Sequence, residues 1–256
     1  MTIAYFDCFS GIAGDMILGA LIDVGVGVTF LKSELKKLPL SGYDITVKSV
    51  ECNHIAAVDI TIAVTEEQHH RSLFDIIDLL KASTLTPEVK KHSQNIFYNL
   101  GKAEAKIHRI DVEKVHFHEV GAVDSIIDIV GSVIGISKLG IEHIYCSPLP
   151  FGHGFVSCDH GILPLPAPAT VELLKGIPVY SVDRKQELVT PTGAAIIATL
   201  AQNFGEMPPM KISRIGYGSG KTQSEYPNVL RVFLGELAQE RKKKTRNEKQ
   251  ARTRNQ

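Results

Sequence analysis

A chain of 256 residues, 44% of them apolar, has material for one large core or two modest ones. No run approaches the ~18 uninterrupted apolar residues of a membrane helix, and acidic Asp7 stands where a secretory leader carries positive charge. Cys8, Cys52, Cys146 and Cys158 form no CxxC pair, which argues against a zinc ribbon or a disulfide framework and for free thiols in the cytoplasm. The formal charge of zero hides an asymmetry, because residues 241–256 carry eight lysines and arginines against one glutamate, a net +7 that leaves −7 on residues 1–240. A tail so basic and so poor in aliphatic residues buries no face, so we expect residues 1–240 as the folded domain and 241–256 as a disordered tail. A nucleic-acid arm is the less favoured reading, since the acidic body offers no basic path to continue it and suits metal cations better than polyanions.

In chain order, Ile3–Cys8 reads as a buried strand, and Ser10-Gly11-Ile12-Ala13-Gly14-Asp15 turns it into a helix reaching Val24 and closed by Gly25. Such a turn presents backbone N–H groups around Gly11 and Gly14 to an anion. The spacing is neither GxGxxG nor GxxxxGK[ST], and Asp7 and Asp15 suit a cation, a ribose hydroxyl or a protonated base better than a phosphate. Alternating runs over 45–50 and 58–64 predict a strand pair joined by 51–57, with His54 in the connection. His69 and His70 read as surface histidines, in a loop whose composition also suits soft metal ions. A short helix over 72–80 follows, then a longer one from Thr86 as N-cap and Pro87 to Ile107.

The centre of the chain is His116-Phe117-His118-Glu119 and the helix after it, read from Gly121 to Leu139. If 115–119 is extended, the imidazoles of His116 and His118 share a face as a candidate metal-ligand pair. The helix is apolar almost all round and should be buried. Its one other stripe is Gly121, Asp124, Asp128, Gly131 and Gly135, which permits close approach and offers carboxylates. An ionised buried carboxylate is costly unless it is paired, hydrogen-bonded or metal-bound. Close packing by the glycines and loop capping by the aspartates explains either aspartate alone; the stripe and the histidine pair together favour a site.

Beyond it, 144–149 reads as a strand, and His153 and His160 sit in glycine-flanked turns that leave their imidazoles accessible. A helix over 169–175 stops at Gly176. Thr190-Pro191-Thr192-Gly193 opens a helix over 194–202 and forms a second candidate anion seat, although N-cap and proline are also the ordinary way to begin a helix. Gly216-Tyr217-Gly218-Ser219-Gly220-Lys221-Thr222 is no P-loop, because the first glycine would fall at Ile215 and no apolar helix follows. It reads as a flexible loop with Lys221 as a phosphate lid, before a last strand over 229–234. The fold class is mixed α/β (α+β), with two lobes around a buried central helix as one arrangement.

Taken together, the Asp7-Cys8-Phe9-Ser10-Gly11-Ile12-Ala13-Gly14-Asp15-Met16 start, the His116 to Asp124 centre, Gly152-His153-Gly154, Thr190-Pro191-Thr192-Gly193-Ala194 and Gly216-Tyr217-Gly218-Ser219-Gly220 resemble one family over about residues 1–235. It is the nickel-insertion protein of the lactate racemase cofactor pathway, LarC. The resemblance implies a nickel chelatase or cyclometallase of the lyase class. Its reaction inserts Ni²⁺ into pyridinium-3,5-bisthiocarboxylic acid mononucleotide, using CTP with Mn²⁺ or Mg²⁺, to form the nickel-pincer nucleotide. Full-length members continue into a C-terminal part associated with CTP binding, in some joined by a programmed ribosomal frameshift, and this chain resembles the first part. The expected partners are therefore that C-terminal half or a full-length frameshift product, the nucleotide substrate and other proteins of the pathway, and an oligomer is expected.

The pincer product has two sulfur ligands and a metal–carbon bond, so insertion must also remove a ring proton. Imidazole and carboxylate donors hold Ni²⁺ yet yield it to sulfur. On that chemistry His116, His118, Asp124 and Asp7 are the candidate nickel ligands, and His153 or His160 a further ligand or proton acceptor. Gly11 to Gly14 and Thr190, Thr192 and Gly193 are the candidate phosphate seats. Two rival readings predict other outcomes. A divalent-metal nucleotide phosphohydrolase would release phosphate without a sulfur-bearing acceptor, and a nickel-storage protein or metallochaperone would bind nickel stoichiometrically without turnover.

Overall fold

In a computed structural model of the chain, the described residues are 1–66, 71–117, 122–158, 161–222 and 224–238. His69, His70, His118, His160 and the basic tail lie outside them. β1 (Thr2–Asp7) buries Ile3, Ala4, Tyr5 and Phe6 in succession, as a strand covered on both faces does. α1 (Gly14–Val24) ends at Gly25 with φ 132°, and α2 (Val28–Leu35) follows. β2 (Tyr43–Cys52) and β3 (Ile55–Val64) pair along their whole length. The connection expected over 51–57 shrinks to Asn53 and His54, both at positive φ (49° and 65°), as a tight hairpin requires.

β4 (Arg71–Ser72) leads into α3 (Leu73–Ala82), opened by a capping box between Ser72 and Asp75. α4 (Pro87–His108) starts at Thr86, whose hydroxyl accepts the Val89 N–H at 3.4 Å, as the sequence predicts. β5 (His116–Phe117) pairs antiparallel with β4, and α5 (Val123–Lys138) is the expected central helix. β6 (His143–Cys146) and β7 (Leu149–Phe151) replace the single strand read over 144–149. Pro148 has no N–H to continue the ladder, and β7 pairs instead with a later strand. The rest are β8 (Phe155–Cys158), β9 (Gly161–Pro164), α6 (Pro168–Leu173), β10 (Val179–Ser181), α7 (Pro191–Leu200), β11 (Asn203–Phe204), β12 (Met210–Ser219) and β13 (Val229–Leu237). Among the described residues, no helix is long and apolar enough to cross a membrane.

The main sheet has the order β11-β6-β1-β13-β12-β3-β2. β1, β6 and β11 run parallel, β12 runs parallel to β3, and β13 lies antiparallel between β1 and β12. The carboxyl ends of β1, β6, β11, β12 and β3 therefore face one edge, where β13 begins. α1 and α5 lie side by side and parallel, since Gly14 meets Asp128, Leu18 meets Gly131 and Leu21 meets Gly135 in the same order along both. A Cβ at Gly131 or Gly135 would stand 3.1 Å from the Leu18 or Leu21 side chain, so these glycines of the stripe serve close helix packing.

α1 in turn rests on β12. A Cβ at Gly218 would stand 1.8 Å from the Met16 carbonyl oxygen and one at Gly216 2.4 Å from that of Ala20. The glycine run read as a flexible loop is thus strand up to Ser219, kept side-chain-free because helix backbone lies on it. α5 sits inside this packing with Val123, Ile126, Ile127, Ile129 and Val130 fully buried in a contiguous core. The fold is mixed α/β with a buried central helix, as the sequence reading has it.

Candidate functional site

The edge where the parallel strands end also receives the starts of three helices, because β1 feeds α1, α5 lies parallel to α1, and α7 begins against the loop before α1. Backbone bonds lace that loop to the segment preceding α7. Ile12 N donates to Leu188 O at 2.8 Å, and Thr190 N to Ile12 O at 3.1 Å. Gly11 has φ 106° and no room for a Cβ, which would stand 2.0 Å from Leu188 O, and a Cβ at Gly193 would stand 2.4 Å from Ile12 O. The two glycine and threonine stretches read as separate anion seats are therefore one place in the fold. Their amides are engaged there by the protein itself: Gly11 N bonds Cys8 O at 2.9 Å, and Gly193 N bonds the capping Thr190 hydroxyl at 3.2 Å. Thr192 and Gly14 pack against each other, leaving 2.9 Å between the Thr192 methyl and a Cβ built on Gly14.

Beside this junction lies a group of carboxylates. Asp128 packs on Gly14, and its Oδ1 is sealed from water with no hydrogen-bond partner among the described residues. Burial, with Asp15 and Asp124 adding their charge, pushes its carboxyl well above the usual aspartate range. Asp15 keeps 18% of its side chain exposed, and burial pushes its pKa up to about 6 in spite of Lys221 nearby. Asp124 lies one helical turn before Asp128 at the exposed start of α5, where its Oδ1 accepts the Ser125 N–H at 2.7 Å. The cation of the cluster is Lys221, whose Nζ sits 2.6 Å from Asp59 Oδ1 and 4.0 Å from Asp15 Oδ2. It also donates to the Ile60 carbonyl, so it is tied to β3 and is no lid. Sequence reasoning named Asp15 without making it a ligand and passed over Asp59. A carboxylate in the first turn of α1, opposite the acidic stripe, was the available signal for Asp15; Asp59 required the strand register.

A second group lies at the other end of the same loop. Asp7, read as a nickel ligand, is committed to Arg231, with its Oδ2 accepting Nε at 3.0 Å and Nη2 at 2.5 Å. That guanidinium stacks 5.4 Å from the Phe9 ring centroid and 4.9 Å from that of Phe233. Arg184 lies 4.1 Å over the Tyr226 ring and donates to the buried Ser10 hydroxyl at 2.9 Å. His153 is at the rim: its N–H holds Arg184 O at 2.9 Å, and its Nε2 lies 2.9 Å from Asp183 Oδ1. A cavity of ≈ 520 Å³ has Asp59, Lys221, Tyr226 and Asn228 in its lining.

The expected ligands are not assembled around one point. His116 lies exposed on β5, and no described contact joins it to Asp124 or Asp7. Among the described residues no group of three or more His, Cys, Asp or Glu side chains is arranged to hold a metal ion. What the fold brings together is a cluster of acids with Lys221 beside it and, against Asp7 and Ser10 at the other end of the same loop, two stacked arginines. Together they place a group of acids and a pair of arginines at one edge of a mixed α/β fold.

A family model described as Nickel insertion protein matches residues 4–254, and the chain belongs to that family. It is 51% identical over 239 residues to a putative nickel insertion protein of Dictyoglomus thermophilum, covering 93% of this chain and 62% of the relative. It is 50% identical over 242 residues to the pyridinium-3,5-bisthiocarboxylic acid mononucleotide nickel insertion protein of Desulfitobacterium hafniense, covering 94% and 60%. The protein of the same name from Geobacillus kaustophilus is 49% identical over 247 residues, covering 92% and 60%. The chain thus spans less than two thirds of the length of these relatives, at 60–62%. No solved structure matches it.

Proposed function

We propose that this chain takes part in inserting nickel into pyridinium-3,5-bisthiocarboxylic acid mononucleotide, the reaction for which relatives of similar sequence are named. The observation that carries the reading is the unpartnered Oδ1 of Asp128 beside Asp15. A carboxylate oxygen shut off from water without a donor favours a proton or a cation, and among the described residues the cluster has the Lys221 ammonium beside several carboxylates. Nickel, as substrate, is received by the neighbouring carboxylates of Asp15 and Asp128, two donors rather than a complete ligand set, with Asp124 one helical turn away adding negative charge. Such a set leaves coordination positions open, and the sulfur donors of the nucleotide fill them and draw the ion away. His116 and His118 are the imidazole donors of the delivery route, and Asp7, held by Arg231, is left out of the ligand set.

Formation of the nickel–carbon bond releases the proton of that ring carbon, and an imidazole takes it. His153 is the acceptor in this reading, its ring oriented by Asp183, with His160 as the alternative. The reaction is then a cyclometallation of the lyase class. CTP with Mn²⁺ or Mg²⁺ acts through the length of the relatives that this chain does not span, supplied by a C-terminal partner or a full-length product.

Nickel binding by calorimetry and nickel transfer by absorbance test the site. The Asp15→Asn/Asp128→Asn variant should stay folded and lose roughly tenfold or more in nickel affinity, with transfer lost in parallel. Wild-type affinity and transfer in that variant would contradict the site. Unchanged nickel content and insertion in a His116→Ala/His118→Ala variant would remove the histidines from the route. Phosphate release without nickel transfer would instead favour a nucleotide phosphohydrolase.

A further inference from the structure

Two arginines are stacked on aromatic rings at this edge, and they differ in one respect. Arg231 spends Nε and Nη2 on Asp7, so its fork is filled. Arg184 is held as firmly, by the Tyr226 ring at 4.1 Å, by one Nη1 bond of 2.9 Å to Ser10, and by backbone bonds to His153 and Val182. Yet among the described residues it makes no ion pair, in a body that carries an excess of acids. Among the described residues its Nε and Nη2 meet no acceptor, which leaves a pre-oriented pair of donors, the geometry that grips the two oxygens of a phosphate or carboxylate. Tyr226 and Tyr180, 46% and 43% exposed, stand beside it as open aromatic surface.

We propose that Arg184, fixed by Ser10 and Tyr226, is the seat of the phosphate of a pyridinium mononucleotide, placing its ring toward the Asp15–Asp128 cluster. The proposal rests on the nickel-insertion reading for the identity of the nucleotide, and on the open guanidinium for the seat. The two ends are compatible in reach. Ser10 and Asp15 are five residues apart, which limits their separation to roughly 17 Å, and Tyr226, which stacks on Arg184, and Lys221, which lies 4.0 Å from Asp15, both line the ≈ 520 Å³ cavity. The seat also differs from the amides at Gly11 and Gly193, which the protein uses for its own loop contacts.

Calorimetric titration of the full chain without nickel tests the seat, with nicotinate mononucleotide, a pyridinium mononucleotide bearing one carboxylate, as the probe and nicotinate riboside as its phosphate-free control. The mononucleotide should bind more tightly than the riboside. Arg184→Gln should weaken it by roughly 10- to 100-fold, the range for a lost charge-assisted pair, and leave riboside binding unchanged. Arg184→Lys, which keeps the charge without the fork, should recover only part of the loss. Mononucleotide binding no tighter than riboside binding in the wild type, or equal mononucleotide binding in Arg184→Gln with its fold intact, would overturn the seat. Because the readout contains no nickel, loss of insertion activity with this pattern preserved would sink the insertion reading alone.

Discussion

Asp15 and Asp128, the carboxylates of the proposed nickel site, sit at this edge at a cost to the folded chain. Both carboxyls are raised by burial, so the folded state holds their protons more tightly than the unfolded chain does. For Asp15 the window runs from the ordinary range near 4 up to about 6. The stability contribution is full below that window and is lost as pH rises through it. At pH 7.5 and without metal, Asp15→Asn should therefore be more stable than wild type by about 2–3 kcal/mol. In urea unfolding the advantage should shrink by pH 5 and vanish near pH 4; an advantage independent of pH would contradict the assignment. Added Ni²⁺ should reverse the order at pH 7.5, since the ion replaces the missing proton only where both carboxylates remain.

How much of this was legible follows from how local each signal is. The acidic stripe of α5 is written in a single helix, so Asp124 and Asp128 could be read from spacing alone. The Asp7–Arg231 pair joins residues 224 positions apart through the β1–β13 register, and no local pattern announces it. Arg184 lies between short elements and meets Ser10 only through tertiary packing.

At the level of elements, the contact of α1 with β12 sets the geometry of the edge. Gly218 is its tightest point, and Gly218→Ala would drive a methyl into the Met16 carbonyl at 1.8 Å. We expect a loss of about 3 kcal/mol in urea unfolding, with nickel affinity falling as α1 and Asp15 shift; a fully stable Gly218→Ala would show that α1 does not rest there. Helix starts at Thr86 and Thr190 and the stop at Gly25 were legible, because capping chemistry is local. The strand through Gly216 and Gly218 was not. Glycine signals a loop in sequence, and only the helix lying on it turns the same residues into a packing surface. α2 was missed as well: its eight residues bury only Leu31 and Leu35, too few to mark a helical period.

Across the whole molecule, residues 1–240 bear a net −7, which favours approach of a cation, while the arginine seat offers a local exception for a nucleotide phosphate. In the proposed arrangement, ion and nucleotide a short loop apart would meet in a step within one complex. The chain spans 60–62% of its relatives, and the account assigns CTP-driven activation to the remainder. The most direct test is nickel transfer followed by the absorbance of the nickel–carbon product. Purified chain loaded with one equivalent of Ni²⁺ is mixed with pyridinium-3,5-bisthiocarboxylic acid mononucleotide, CTP and Mn²⁺, with and without the C-terminal part of a relative. The account predicts product when the two parts are combined, and none when Asp15→Asn/Asp128→Asn replaces the wild-type chain. Equal transfer by that variant, or no product from the wild type in any combination, would contradict it.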